Sequence, residues 1–433
     1  MIYLVPFLIL LFFLLLVFLE IPIAFSMIIA AMGFVLVYDQ TFTIPFTRLG
    51  LGFTYPLLAI FFFILLGNLM NESKVSDYIV EFVRKALAVL FIKEGRTGAV
   101  AILACAACGP FTGSATGTTT AVGSIMFPQM EKHNYDPRYS TTLLSYSGIL
   151  GTLIPPSIGG LIYAVLVNLP VISVWMATAG VGILYGTILF IQNLILCKRY
   201  GYDRDKVTIN RKDLFKSLID VLPSLSIPLF VFGSIYGGVA TPTEAGSVGA
   251  LCVLLIGKFY YKTIRTKKQL LQVLYITVRQ TSVIMFLIAS SFALSYTLSS
   301  TGAIKVITTS LLLLTENKIA LLFIVNALVL VLGCFLDTTP IMVLLAPMVS
   351  SILVPMGIHP YHLASTFIFV GIIALVTPPV GGSLFAASAV TNVPVSSLFR
   401  YILIFFIPAL ITIFLISFFP QISFFIPKLL GLL

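Results

Sequence analysis

Ile154-Pro155-Pro156-Ser157-Ile158-Gly159 and Thr377-Pro378-Pro379-Val380-Gly381-Gly382 are two copies of one interruption. Their shared register runs well beyond the proline pairs. Pro137→Pro360, Gly148→Gly371, Pro155→Pro378, Pro156→Pro379, Gly159→Gly382, Leu161→Leu384 and Ala164→Ala387 are all separated by 223 positions. Adjacent prolines remove two backbone donors and crowd the preceding turn, so neither pair sits inside a continuous helix. Each copy nevertheless lies in a long apolar segment, 139–169 and 361–391. Broken backbone at membrane depth is tolerated only where protein or a watery cavity surrounds it. Two such breaks, in matching positions of two halves, point to the binding site of a secondary transporter.

The composition is that of a membrane protein. Of 433 residues, 59% are hydrophobic and only 9% charged, with a mean hydropathy of +1.11. Soluble domains carry about 25% charged residues. The length leaves room for roughly ten spans of about 20 residues. Segment 2–19 has no basic start and no small-residue cleavage site, so it reads as a first span rather than a signal peptide. The net charge of +10 fits basic loops held in the cytoplasm. No nucleic-acid motif or aromatic–basic interleaving accompanies it.

Each half follows one plan. In the first repeat, 1–196, scaffold helices occupy 1–70 around a polar loop at 39–50. An amphipathic segment, 72–90, reads equally as a surface helix or a solvated connector. A re-entrant hairpin spans 97–130, and the broken helix spans 139–169. The hairpin is inferred from the Gly-, Ser- and Thr-rich run 109–120, which is too polar for a lipid-facing span. A basic cytoplasmic linker, 197–216, leads to the second repeat, 217–433. There, scaffold helices at 222–298 precede a connector, 299–318, a hairpin at 319–355, the broken helix at 361–391 and a last span at 399–419. The fold class is therefore an all-α polytopic membrane protein with about ten transmembrane helices and two re-entrant hairpins.

A hairpin does not cross, so each half crosses five times, and the second repeat is inverted. With the linker inside, 20 of the 25 Lys and Arg fall on the cytoplasmic side. Arg48, Lys305, Lys318 and Lys428 fall outside, and Arg279 falls near a membrane edge.

Each hairpin tip faces the break of its own half. Helix N-termini attract anions, while freed carbonyls suit Na⁺. Candidate substrate contacts are Ser114, Thr116, Thr118, Ser157, Asp337, Thr338 and Ser383. Candidate Na⁺ ligands are Gly113, Ser114, Pro155, Thr339, Thr377, Pro378, Gly381 and Gly382. These donors are all oxygen, which suits a hard cation and not zinc or copper. Asp337 is the strongest single residue, because carboxylates at membrane depth are costly; its structural alternative is a helix N-cap. Glu244 reads as capping chemistry. Cys105 and Cys108 read as small-residue packing, and His133, His359 and His362 as solvated loop residues. No constellation of catalytic side chains appears, so no enzyme is expected, and no cofactor beyond the coupling ion.

The chain resembles the large membrane (M, DctM-like) subunit of tripartite ATP-independent periplasmic (TRAP) transporters. The resemblance rests on Tyr55-Pro-Leu-Leu-Ala-Ile60, Gly67-Asn-Leu-Met70, Gly113-Ser114, Gly123-Ser-Ile-Met-Phe-Pro128 and Ile154-Pro-Pro-Ser-Ile158. It extends to Ala240-Thr-Pro-Thr-Glu-Ala-Gly246, Leu336-Asp-Thr-Thr-Pro340 and Thr377-Pro-Pro-Val-Gly381. It implies a bacterial inner-membrane subunit that works with a small four-helix membrane subunit and a periplasmic substrate-binding protein. It also implies Na⁺-coupled import of a small organic acid and an elevator-like movement of the hairpins and broken helices. No small subunit is fused at the N-terminus, so a separate partner is expected. Many members carry an acidic residue shortly after the first Gly-Ser; Thr118 stands near that place here. The competing readings are a stand-alone ion-coupled carrier and a channel with two re-entrant loops.

Overall fold

The computed structural model describes residues 5–37, 58–89, 94–203, 211–300, 317–334, 336–378 and 381–433, with isolated positions between them. Most of the loop at 39–50 and of the connector at 299–318 lies outside the described residues. So do 204–210 of the linker, the Tyr55-Pro56-Leu57 start of one motif, and Pro379 with Val380 of the second break.

The helices of the first half are α1 (Val5–Phe18), α2 (Ile23–Val37), α3 (Leu58–Glu72), α4 (Val75–Val89), α5 (Arg96–Thr112), α6 (Ala115–Lys132), α7 (Pro137–Gly148), α8 (Ile158–Val167) and α9 (Val171–Tyr200). Those of the second are α10 (Arg211–Tyr236), α11 (Pro242–Leu255), α12 (Lys267–Ser300), α13 (Lys318–Gly333), α14 (Thr338–Leu353), α15 (Pro360–Ile373), α16 (Gly382–Thr391), α17 (Phe399–Phe418) and α18 (Gln421–Leu429). Five helices or helix runs are long and apolar enough to cross a bilayer alone: 171–200, 212–236, 242–260, 267–300 and 395–418. Exposed Leu229, Phe259, Leu403 and Phe414 form outward apolar surface of the kind a lipid environment requires.

Local chemistry makes the hairpins. Gly113 takes the left-handed conformation, φ 60°, and its amide closes α5 on the Gly109 carbonyl. A side chain there would be strained, which is why glycine holds the turn. Ser114 then caps α6, and Asp337 caps α14 at the tip of the second hairpin. The breaks end with the same device: Asn168 and Asn392, both left-handed, cap α8 and α16. α7, continued by Leu150–Leu153, meets α8 at a bend of 45°.

α4 turns 69° away from α3. It buries Val75, Ile79, Val80 and Leu87 and packs against α5 and α10. Glu81 pairs with Arg84 at 2.7 Å and Lys85 at 3.1 Å on its partly exposed face; such exposed pairs add little stability. The segment is thus an amphipathic brace between the first hairpin and the scaffold.

Long-range bonds tie the two halves together. The Thr141 hydroxyl donates to Thr391 at 2.9 Å, Tyr401 to the Asp136 carboxylate at 3.0 Å, and the Gln269 amide to Glu72 at 3.0 Å. Within the second half, Tyr236 donates to the Leu430 carbonyl at 2.8 Å. His362 Nε2 lies 2.7 Å from the Ile416 carbonyl. His362 is buried in α15, which corrects its reading as a solvated loop residue: the helix begins at Pro360 and carries it inward. Glu244 completes a capping box with Thr241, and Cys105 and Cys108 are buried in the packing of α5.

Candidate binding site between the two hairpin tips

The two halves interlock. α8 of the first break packs on α14 of the second hairpin, and α16 of the second break packs on α6 of the first. Each tip also bonds to its own break. The Ile158 amide donates to the Gly113 carbonyl at 3.3 Å, and the Thr338 hydroxyl to the Gly371 carbonyl at 3.0 Å. Close approach needs glycine here. A Cβ on Gly148 would fall on the Thr119 hydroxyl, and one on Gly151 on the Thr118 hydroxyl.

This arrangement brings both tips to one cavity of about 690 Å³. Gly113, Ser114 and Thr116 line it from the first tip, and Asp337, Thr338 and Thr339 from the second. Ser114 Oγ and Thr116 Oγ1 are 3.0 Å apart. One Asp337 oxygen accepts from the Thr338 amide at 2.6 Å, and Asp337 is exposed to the cavity. Two helix N-termini therefore converge on one space. Asp337 already compensates that of α14, while Ala115 and Thr116 in the first turn of α6 line the cavity behind an uncharged cap. First-turn amides have no acceptor within their own helix, so they favour negative charge.

Other residues singled out from the sequence lie elsewhere. Thr118 is fully buried; its hydroxyl donates to the Ser114 carbonyl at 2.8 Å and contacts that of Thr112. Ser157 caps α8 by accepting from the Gly160 amide at 3.2 Å, and its carbonyl accepts from the Trp175 indole at 3.0 Å. Pro155, Thr377, Pro378, Gly381 and Gly382 belong to the breaks behind the tips and do not line the cavity. The Thr377 hydroxyl donates to the Ile373 carbonyl at 3.0 Å. Ser383 is buried, and its hydroxyl has no partner among the described residues.

The remaining walls come from the scaffold: Asn68 and Asn71 of α3, and Arg279 and Gln280 of α12. Asn68 Nδ2 donates to the Thr277 hydroxyl and to Gln280 Oε1, each at 3.0 Å, tying α3 to α12. A Cβ on Gly67 would sit 3.0 Å from the Phe111 carbonyl, so α3 lies directly against the first tip. Arg279 lines this cavity twelve residues into α12. It makes no ion pair among the described residues. Its signal was in the sequence, because a cation inside a long apolar span is costly and usually functional.

Two discontinuous helices and two hairpin tips around one cavity define the class: a multi-pass membrane transport protein. The family description "Tripartite ATP-independent periplasmic transporter, DctM component" matches residues 9–422. The chain belongs to this family. It is 30% identical to the sialic acid TRAP transporter large permease protein SiaM of Vibrio cholerae, over 96% of each chain. It is 29% identical to the 2,3-diketo-L-gulonate TRAP transporter large permease protein YiaN of Escherichia coli, over 84% of this chain and 85% of that one. The fold is similar to the crystal structure of the Alcanivorax borkumensis YdaH transporter. The TM-score is 0.57 at 12% identity, covering 86% of this chain and 88% of that one. The family is one of transport permeases, and this chain is not an enzyme.

Proposed function

We propose that this chain is the permease subunit of a Na⁺-coupled secondary transporter that imports a small organic acid. The acid is delivered by a periplasmic binding protein, and a small four-helix membrane subunit completes the complex in the bacterial inner membrane. The observation that carries this reading is the cavity between the tips. It offers an anion the Arg279 guanidinium, the amide end of α6 and the Ser114 and Thr116 hydroxyls. Guanidinium–carboxylate pairs are strong and directional. The relatives' names, sialic acid and diketogulonate, are those of carboxylic acids.

Na⁺ fits the donors around the tips and breaks. They are carbonyls, hydroxyls and one carboxylate, and no cluster of His, Cys and acidic residues suited to a transition metal occurs among the described residues. Asp337 supplies the negative charge that a cation beside an anionic substrate needs. Ser383 supplies a buried hydroxyl without a partner among the described residues. Gly113, Ser114 and Pro155 would hold the ion at the first tip, and Thr339, Thr377, Pro378, Gly381 and Gly382 at the second. Bound there, Na⁺ supplies positive charge that couples closure of the tips to the gradient. In an elevator the tips and breaks move together against α3 and α12, so a substrate seated between Arg279 and the tips feels both bodies.

Reconstitution in proteoliposomes tests the proposal. Sialic acid, succinate and a keto acid are offered with the cognate binding protein and small subunit, under an inward Na⁺ gradient. Uptake that needs both the gradient and the binding protein supports the reading. Uptake without the binding protein favours a stand-alone carrier, and single-channel currents a channel.

A further inference from the structure

A second cavity, of about 510 Å³, lies beside the first, between the α3–α4 corner and α6. Asn71, Thr116 and Gly117 line both cavities, so the two adjoin. α6 runs from its tip toward the base of the first hairpin, which the basic loops place in the cytoplasm. The second cavity is therefore on the cytoplasmic side of the first.

Its walls are built for water and charge. Thr116, Thr120 and Ser124 recur every four residues, which puts them in one stripe along α6, and Thr120 and Ser124 are exposed. Across from the stripe stand Asn71, Lys74, Ser76 and Asp77. Lys74 sits at the corner itself, where the chain turns 69°, with φ 53°. That left-handed region favours glycine, and a long side chain is uncommon there. The corner thus holds a cation at a position where backbone chemistry alone would favour glycine. Lys74 is exposed and makes no ion pair within 4 Å among the described residues. Asp77, in the first turn of α4, lies within electrostatic reach of it. Among the described residues it is the only other charged residue lining this cavity.

We propose that this cavity is a cytoplasm-facing anion site, with Lys74 as its charge. A carboxylate leaving the space between the tips is held there before release. The role in release rests on the organic-acid reading of the central cavity; the anion site itself does not. Lys74 draws the carboxylate past the α6 hydroxyls. Asp77 keeps the well shallow, as a release point requires.

The test needs no transported substrate. Thr120→Cys is placed in a background in which the partly exposed Cys252 and Cys334 are serine. Inside-out membrane vesicles are then labelled with an anionic sulfonatoethyl or a cationic trimethylammonioethyl methanethiosulfonate. The expected result is labelling from the cytoplasmic face with a preference for the organic sulfonate. Lys74→Gln lowers the anion-to-cation rate ratio roughly three- to tenfold, the effect of one unit charge several ångströms away, and Lys74→Arg preserves it. Absence of cytoplasmic labelling, or a ratio unchanged in Lys74→Gln, overturns the proposal. Failure of organic-acid uptake with the ratio intact counts against the central-cavity reading and not against the anion site.

Discussion

Ser114 and Asp337 are equivalent residues that face one cavity with different chemistry. They are separated by the same 223 positions as the broken helices, and each is the N-cap of the outgoing hairpin helix. Both line the space between the tips. One position is a neutral hydroxyl and the other a carboxylate. The symmetry of the fold therefore produces an asymmetric cavity, with an uncharged cap at one tip and a carboxylate at the other.

Asp337→Asn separates capping from ion binding. Asn caps about as well as Asp, so the melting temperature in choline chloride should hardly move. In the parent protein, NaCl at a hundredfold excess over its dissociation constant should stabilise by about 2.7 kcal/mol. That Na⁺-selective gain should vanish in the variant. A full Na⁺ gain in Asp337→Asn would remove this residue from the ion site.

Arg279→Gln should spare folding, because the side chain is exposed to the cavity and makes no ion pair among the described residues. A lost hydrogen bond to a charged group is worth about 1.5–3 kcal/mol. Uptake efficiency should fall roughly ten- to hundredfold, with Arg279→Lys in between. Radiolabelled uptake read beside a thermal melt distinguishes this from a folding defect.

Gly148→Ala should destabilise by about 1–3 kcal/mol through overpacking, because the new methyl falls on the Thr119 hydroxyl. That hydroxyl has no hydrogen-bond partner among the described residues. Thr119→Ala should therefore be mild alone and should recover much of the loss in the double variant. A double-mutant cycle in detergent measures the coupling; additive losses would contradict the packing described.

Thr241→Ala removes the capping box and should cost about 1 kcal/mol of stability. Glu244→Gln keeps the box and should be close to neutral. Neither should change Na⁺-dependent uptake per folded protein, and a transport defect in Glu244→Gln would assign that acid a role beyond capping.

The elements were legible in the chain because their causes are local. Paired prolines break a helix wherever they stand, and Gly113 turns the first tip by its own backbone freedom. Thr241-Pro242-Thr243-Glu244 carries its capping box within four residues. What could not be read along the chain depends on distant packing. His362 is three residues past an N-cap, and the docking of α17 and α18 against α15 encloses it. Arg279 shares a cavity with the tips because α3 and the tips are set against α12. Thr118 and Ser157 stand beside a tip and a break, and their hydroxyls bond to their own local backbone.

Hydropathy, proline and glycine act within a few residues, so the membrane class, the two hairpins and the two breaks can be read along the chain. Which side chains share a space is a matter of packing. Whether a residue near a tip faces the cavity depends on its angle around the helix axis, and that angle is set by partners far away along the chain. The interlock of α8 with α14 and of α16 with α6 fixes it. This packing brings Ser114, Asp337, Asn68 and Arg279 together and turns Thr118 and Ser383 inward.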